Sequence, residues 1–138
     1  MKSLKQYIFE QIENSLEMNG FCILKPGFLE YEEQFLDILK NRGWQIVRKT
    51  KCLLTNDQAH DLYKPHKDKD FYEDLCKYMI SGECICCSCH KNCEEPIKEM
   101  DKLKDLVRNK WGEDEMRNAM HSSDSLENVN REIKIVFN

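Results

Sequence analysis

The chain has 138 residues, a length that suits one domain with a core of its own. Apolar residues make up 41% and charged residues 33%, the balance of a globular protein in water. No apolar run approaches the ~18–20 residues that span a bilayer, and residues 1–20 hold no signal-peptide core. A membrane protein and an exported one are therefore not expected. The net charge of -4 argues against a general nucleic-acid binder, though it leaves room for a local basic pocket. Eight cysteines without an export signal predict reduced thiols in a cytoplasmic protein.

Leu4, Tyr7, Ile8, Ile12 and Leu16 recur at helical spacing, which predicts an N-terminal helix stopped at Asn19-Gly20. Phe21-Cys22-Ile23-Leu24 predicts a short strand, ended by Lys25-Pro26-Gly27. A second amphipathic helix is predicted over 29–42, with Leu29, Phe35, Leu36 and Leu39 on one side. A strand is predicted over 44–54. Thr55-Asn56-Asp57-Gln58 has the pattern of a capping box and opens a short helix to about Tyr63. A helix over 70–80 and a strand over 84–89 follow. Pro96 sits at the first turn of a helix over 97–108. A short strand over 117–121, a helix to about Ile133 and an apolar tail at Ile135–Phe137 complete the chain. This order predicts an α+β sandwich of the split-βαβ type, with helices on one side of the sheet.

Cys84, Cys86, Cys87, Cys89 and Cys93, with His90, offer the donor types of a zinc site. On a strand their side chains alternate between two faces, so the thiols are read as small buried apolar groups and no metal ligand is assigned. Lys51, Lys64, His66, Lys67 and Lys69 form a basic stretch, which by itself is a solvated face. It gains meaning from the segment Arg108 to Ser125. There His121 ends a short strand, a turn rich in hydroxyls follows it, and Arg108, Arg117 and Asn118 precede it. Neutral imidazole is a nucleophile near pH 7, and guanidinium groups hold phosphate oxygens in pairs. The combination points to phosphoryl transfer.

Arg117-Asn118-Ala119-Met120-His121-Ser122-Ser123-Asp124-Ser125, continuing to Arg131-Glu132-Ile133, resembles the active-site signature of nucleoside diphosphate kinases. Leu24-Lys25-Pro26 is similar to the family's first-strand motif, and Tyr63 stands where the family has its active-site tyrosine. Lys67-Asp68, Phe71-Tyr72 and Leu75-Cys76-Lys77-Tyr78-Met79-Ile80-Ser81-Gly82 also resemble family blocks.

The resemblance implies a ferredoxin-like α+β sandwich with an antiparallel sheet over residues 20–138, with residues 1–19 as an added N-terminal helix. The Cys-rich stretch would be a central strand. The implied activity is ping-pong transfer of a γ-phosphoryl group from a nucleoside triphosphate to a nucleoside diphosphate. His121 would carry the phosphoryl group, and Lys25 and Tyr63 would contact it. Arg108 would bind the phosphates, Asn118 the ribose, and Phe71 would stack on the base. Mg²⁺ would enter on the nucleotide phosphates. Implied partners are nucleoside di- and triphosphates and further copies of the chain, at least as a dimer that buries the sheet edge at strand 20–25, with its flat apolar Phe21–Leu24, and helix 29–42, with no membrane and no specific nucleic acid.

The chain also departs from the pattern. No loop with a phosphate-binding Thr interrupts Met100 to Val107, and Asp101 or Lys102 lies near the family's loop arginine. Ser122 replaces a Gly, and Pro65 stands where a His-orienting carboxylate is expected. These departures favour, as the other reading, a nucleotide-binding sensor or interaction module with weak or no kinase activity.

Overall fold

The computed structural model describes residues 1–8 and 18–137. Residues 4–8 are helical; the remainder of the expected N-terminal helix, including Ile12 and Leu16, lies outside the described residues. The division at residue 19 remains an expectation.

Four strands form one antiparallel sheet: β1 (Gly20–Leu24), β2 (Gln45–Cys52), β3 (Cys84–His90) and β4 (Met120–Ser122). Their order is β2-β3-β1-β4. The Cys-rich strand β3 is central, as expected. Strand β1 is central too, paired with β3 on one side and β4 on the other. This corrects the edge expected at Phe21–Leu24: the outer strands are β2 and β4, and of β2 only Val47 is buried. Phe21, Cys22, Ile23 and Leu24 are all fully buried, the mark of a strand covered on both faces.

Among the described residues five helices cover the sheet: α1 (Glu32–Asn41), α2 (Asn56–Leu62), α3 (Tyr72–Met79), α4 (Pro96–Trp111) and α5 (Leu126–Val136). They lie on both faces, which corrects the one-sided layer. Cys22 and Leu24 face a core with Phe35 and Leu39 of α1 and Met100, Leu103 and Val107 of α4. Phe21 and Ile23 face a second core with Leu62, Leu75, Met79 and Val129 from α2, α3 and α5. The cysteines of β3 divide in the same way. Cys84 and Cys86 join the second core, and Cys87 and Cys89 the first. All eight cysteines are free thiols.

The local signals in the sequence act as written. Thr55 Oγ1 accepts the Gln58 N–H at 3.1 Å and Gln58 Oε1 accepts the Thr55 N–H at 2.9 Å, completing the capping box of α2. Ser125 Oγ accepts the Asn128 N–H at 3.1 Å and caps α5. Helix α5 absorbs most of the expected tail by running to Val136. The α4 helix continues to Trp111, with no loop breaking Met100 to Val107. Among the described residues no helix is long and apolar enough to cross a membrane.

Candidate active site

A cleft of about 670 Å³ opens beside β4, walled by the turn after α2, the start of α3, one face of α4, residues 114–118 and α5. It gathers the six residues singled out from the sequence: Lys25, Tyr63, Phe71, Arg108, Asn118 and His121.

His121 sits within β4. Ala119, just before the strand, has φ 78, a left-handed conformation costly for a residue with a Cβ. Its carbonyl accepts the Lys25 backbone N–H at 2.8 Å, so this turn fixes Lys25 and His121 relative to each other. The His121 ring meets Tyr63 edge-on at 5.3 Å and Phe21 at 6.3 Å. Its Nε2 is hydrogen-bonded to Oε1 of Glu132, a carboxylate that α5 buries. The His-orienting carboxylate is therefore present, and the reading of Pro65 as its replacement is corrected. Pro65 lies in the 3-10 turn Lys64–His66, and the acid arrives from a different element. The signal was in the sequence: a helix capped at Ser125 turns Glu132 back toward β4. With Nε2 engaged, Nδ1 is the ring nitrogen left to act as a nucleophile.

Lys25 is only 3% exposed, and its ammonium donates to the Met116 carbonyl at a long 3.4 Å. Burial, with Arg108 and Lys104 beside it, brings its pKa down to about 7. Arg108 donates from Nε to the Met120 carbonyl at 3.1 Å, leaving the fork of its guanidinium toward the cleft. Burial lowers its pKa as well. Gly112 closes α4 on the backbone of Arg108: its N–H donates to the Arg108 carbonyl at 2.8 Å, and a Cβ there would lie 2.5 Å from that oxygen.

Sequence reasoning missed Lys104. It stands one turn before Arg108 on the cleft face of α4, with its side chain 19% exposed and its ammonium 2.8 Å from Asp101 Oδ1. The i, i+4 relation to Arg108 was the available signal. Lys25, Lys104 and Arg108 thus converge on one wall, an arrangement whose mutual repulsion an anion relieves.

Tyr63 is 5% exposed, and its hydroxyl finds no hydrogen-bond partner among the described residues. Burial, then the nearby Glu132 carboxylate, pushes the phenol well above its ordinary pKa, so it stays protonated as a donor. Asn118 donates from Nδ2 to the Glu115 carbonyl at 2.8 Å, while its Oδ1 is buried without a partner. Phe71 is 45% exposed at the cleft mouth, its ring centroid 5.8 Å from that of His66. Arg131, itself on the cleft lining, braces the wall. It donates to the last carbonyls of α2, Asp61 at 2.6 Å and Leu62 at 3.1 Å, one residue before the buried Glu132.

A polar cleft with one cationic wall, beside a histidine with one ring nitrogen left open, is suited to phosphate chemistry. The profile of the family described as nucleoside diphosphate kinase matches residues 18–138. Among similar proteins is a nucleoside diphosphate kinase of Fervidobacterium nodosum, 32% identical over 127 residues, which are 85% of this chain and 86% of the relative. Another is that of Methanococcus maripaludis, 31% identical over 127 residues, 85% of this chain and 96% of the relative. The crystal structure of the Aquifex aeolicus nucleoside diphosphate kinase superposes with a TM-score of 0.76 at 25% identity, covering 86% of this chain and 94% of that one. By fold, by sequence over most of its length and by the motif that builds the cleft, the chain belongs to the nucleoside diphosphate kinase family.

Proposed function

We propose that the protein transfers a γ-phosphoryl group from a nucleoside triphosphate to a nucleoside diphosphate through a phosphohistidine on His121. The observation that carries this reading is the His121–Glu132 hydrogen bond, which occupies Nε2 and leaves Nδ1 as the nucleophile in a cleft walled on one side by Lys25, Lys104 and Arg108. In the first half-reaction Nδ1 attacks the γ-phosphorus. The N–P bond forms as the bond to the bridging oxygen breaks, and the diphosphate leaves with that bonding pair. The positive charge that develops on the ring is offset by the Glu132 carboxylate through Nε2–H. A terminal oxygen of the acceptor diphosphate then attacks the same phosphorus and releases Nδ1.

Lys25, Arg108 and Lys104 offset charge on the phosphate oxygens in both halves. The Tyr63 hydroxyl donates to one of them, and Asn118 Oδ1 accepts from the ribose. Phe71 offers a ring face to the base, which fits any base because stacking reads a π-surface. Lys104 takes over the anchoring that the uninterrupted α4 helix otherwise removes. Asp124, whose carboxylate lines the cleft and accepts from Asn128 Nδ2 at 2.6 Å, would hold a Mg²⁺ brought in on the nucleotide, and the ion would neutralise part of the phosphate charge.

We further propose a cytoplasmic homo-oligomer, at least a dimer, which light scattering tests. The catalytic reading is tested by steady-state exchange between ATP and GDP. Parallel double-reciprocal lines support a phosphoenzyme. Tight nucleotide binding with no exchange supports the sensor reading instead.

A further inference from the structure

Cys52, at the end of β2, lies directly across from Cys84 of β3, and Cys86 stands two residues further along the same face. Register and pleat therefore bring three thiols together on the second core. Their sulfur atoms all lie within 4.8 Å of one another, and those of Cys84 and Cys86 are 3.8 Å apart. We propose that Cys52, Cys84 and Cys86 form a binding site for one thiophilic divalent metal ion of the Zn²⁺ type. With metal–sulfur bonds of about 2.3 Å, two thiolates of a tetrahedral site stand about 3.8 Å apart. The Cys84–Cys86 pair already has that spacing, and Cys52 needs only a small side-chain adjustment to join it.

The chemistry of the donor set is soft sulfur throughout, which selects thiophilic ions over Mg²⁺ or Ca²⁺. Cys84 and Cys86 are buried while Cys52 is half-buried, so the ion has an entrance and a water can take the fourth position. On binding, each coordinating thiol exchanges its S–H bond for a metal–sulfur bond and its proton leaves to solvent.

The opposite face of the sheet supplies a contrast. Cys22, Cys87 and Cys89 are also neighbours, and all three are fully buried with no half-exposed member. Among the described residues only the Cys52 group brings three donor atoms within 4.8 Å. The expectation from sequence, thiols as small core side chains, fits the first face. It left out Cys52, which comes from another strand. The site lies behind the cleft wall, since Cys84, Cys86 and Tyr63 share the second core. Metal binding can therefore be read without nucleotide.

The test titrates the reduced, chelator-treated full chain with Cd²⁺ under nitrogen and follows thiolate-to-metal charge-transfer absorption. Saturation at one equivalent, competition by Zn²⁺, loss of the signal in Cys52→Ser and its retention in Cys93→Ser are expected. No saturable absorption, or full absorption in Cys52→Ser, overturns the proposal. A second readout needs no variant. Alkylation mapped by mass spectrometry should find Cys52 protected by Cd²⁺ and Cys93 unprotected. Equal labelling of Cys52 with and without Cd²⁺ also overturns it.

Discussion

The Nε2 of His121 is hydrogen-bonded to Oε1 of Glu132, a residue 11 positions further along the chain and on a different element. The bond fixes the tautomer of the imidazole and sets a negative charge behind the nitrogen that must become cationic during transfer. Glu132→Gln keeps an acceptor for Nε2–H and removes the charge. A fall in kcat of about 10- to 100-fold with little change in nucleotide KM is expected, because the carboxylate acts on the developing charge. An unchanged kcat would remove Glu132 from the mechanism.

Lys104 gives a second prediction. Its ammonium shares the cleft wall with Lys25 and Arg108, while Lys102 points away and is exposed. Lys104→Ala should raise the KM for nucleoside triphosphates about tenfold, the loss of one charge-assisted contact to phosphate. Lys102→Ala should leave it unchanged. Equal effects of the two substitutions would mean that only the general charge of α4 matters.

Lys25 predicts a pH dependence. Its pKa of about 7 in the free protein lies below the ordinary 10.5, mainly through burial, so from pH 7 to 10.5 the unfolded chain holds more of this proton than the fold does. On this group's account, stability without nucleotide rises with pH across that window. Anionic phosphates restore the charge, so binding at pH 8 should take up a proton. Calorimetry in buffers of different ionisation enthalpy measures it, and a binding enthalpy independent of buffer would count against the placement of Lys25.

Arg131 ties α5 to the carbonyl end of α2 through Asp61 and Leu62. Arg131→Ala leaves those carbonyls without their donor and should lower stability by about 1–3 kcal/mol. Because Tyr63 follows Leu62 directly, kcat should fall as well. Arg131→Lys should recover part of both. A thermal midpoint equal to wild type in Arg131→Ala would show that this brace carries no energy.

Much of the fold was legible because local chemistry decided it. The Thr55 box, the Ser125 cap and Pro96 fix where three helices start. The alternation of Cys84, Cys86, Cys87 and Cys89 between two faces follows from the pleat alone. What could not be read from local pattern was strand order. Phe21–Leu24 fits an edge or a centre equally until its pairing with both β3 and β4 is known. The site divides in the same way. Its six residues could be named from motifs, and Glu132 follows once the helix capped at Ser125 is folded back on β4, but Cys52 as the neighbour of Cys84 is a long-range contact. Lys104 was hidden for another reason. A lysine on an exposed-looking helix is ordinary until Arg108, one turn on, is seen to face the same cleft.

The most direct measurement is the first half-reaction alone. The protein is mixed with γ-labelled ATP and Mg²⁺, freed of nucleotide, and digested for mass spectrometry under alkaline conditions. The expected result is an acid-labile phosphate on His121 that passes to added GDP and is lost in His121→Ala. A wild-type protein that binds ATP, holds no label on His121 and yields no labelled GTP would contradict phosphoryl transfer through this histidine.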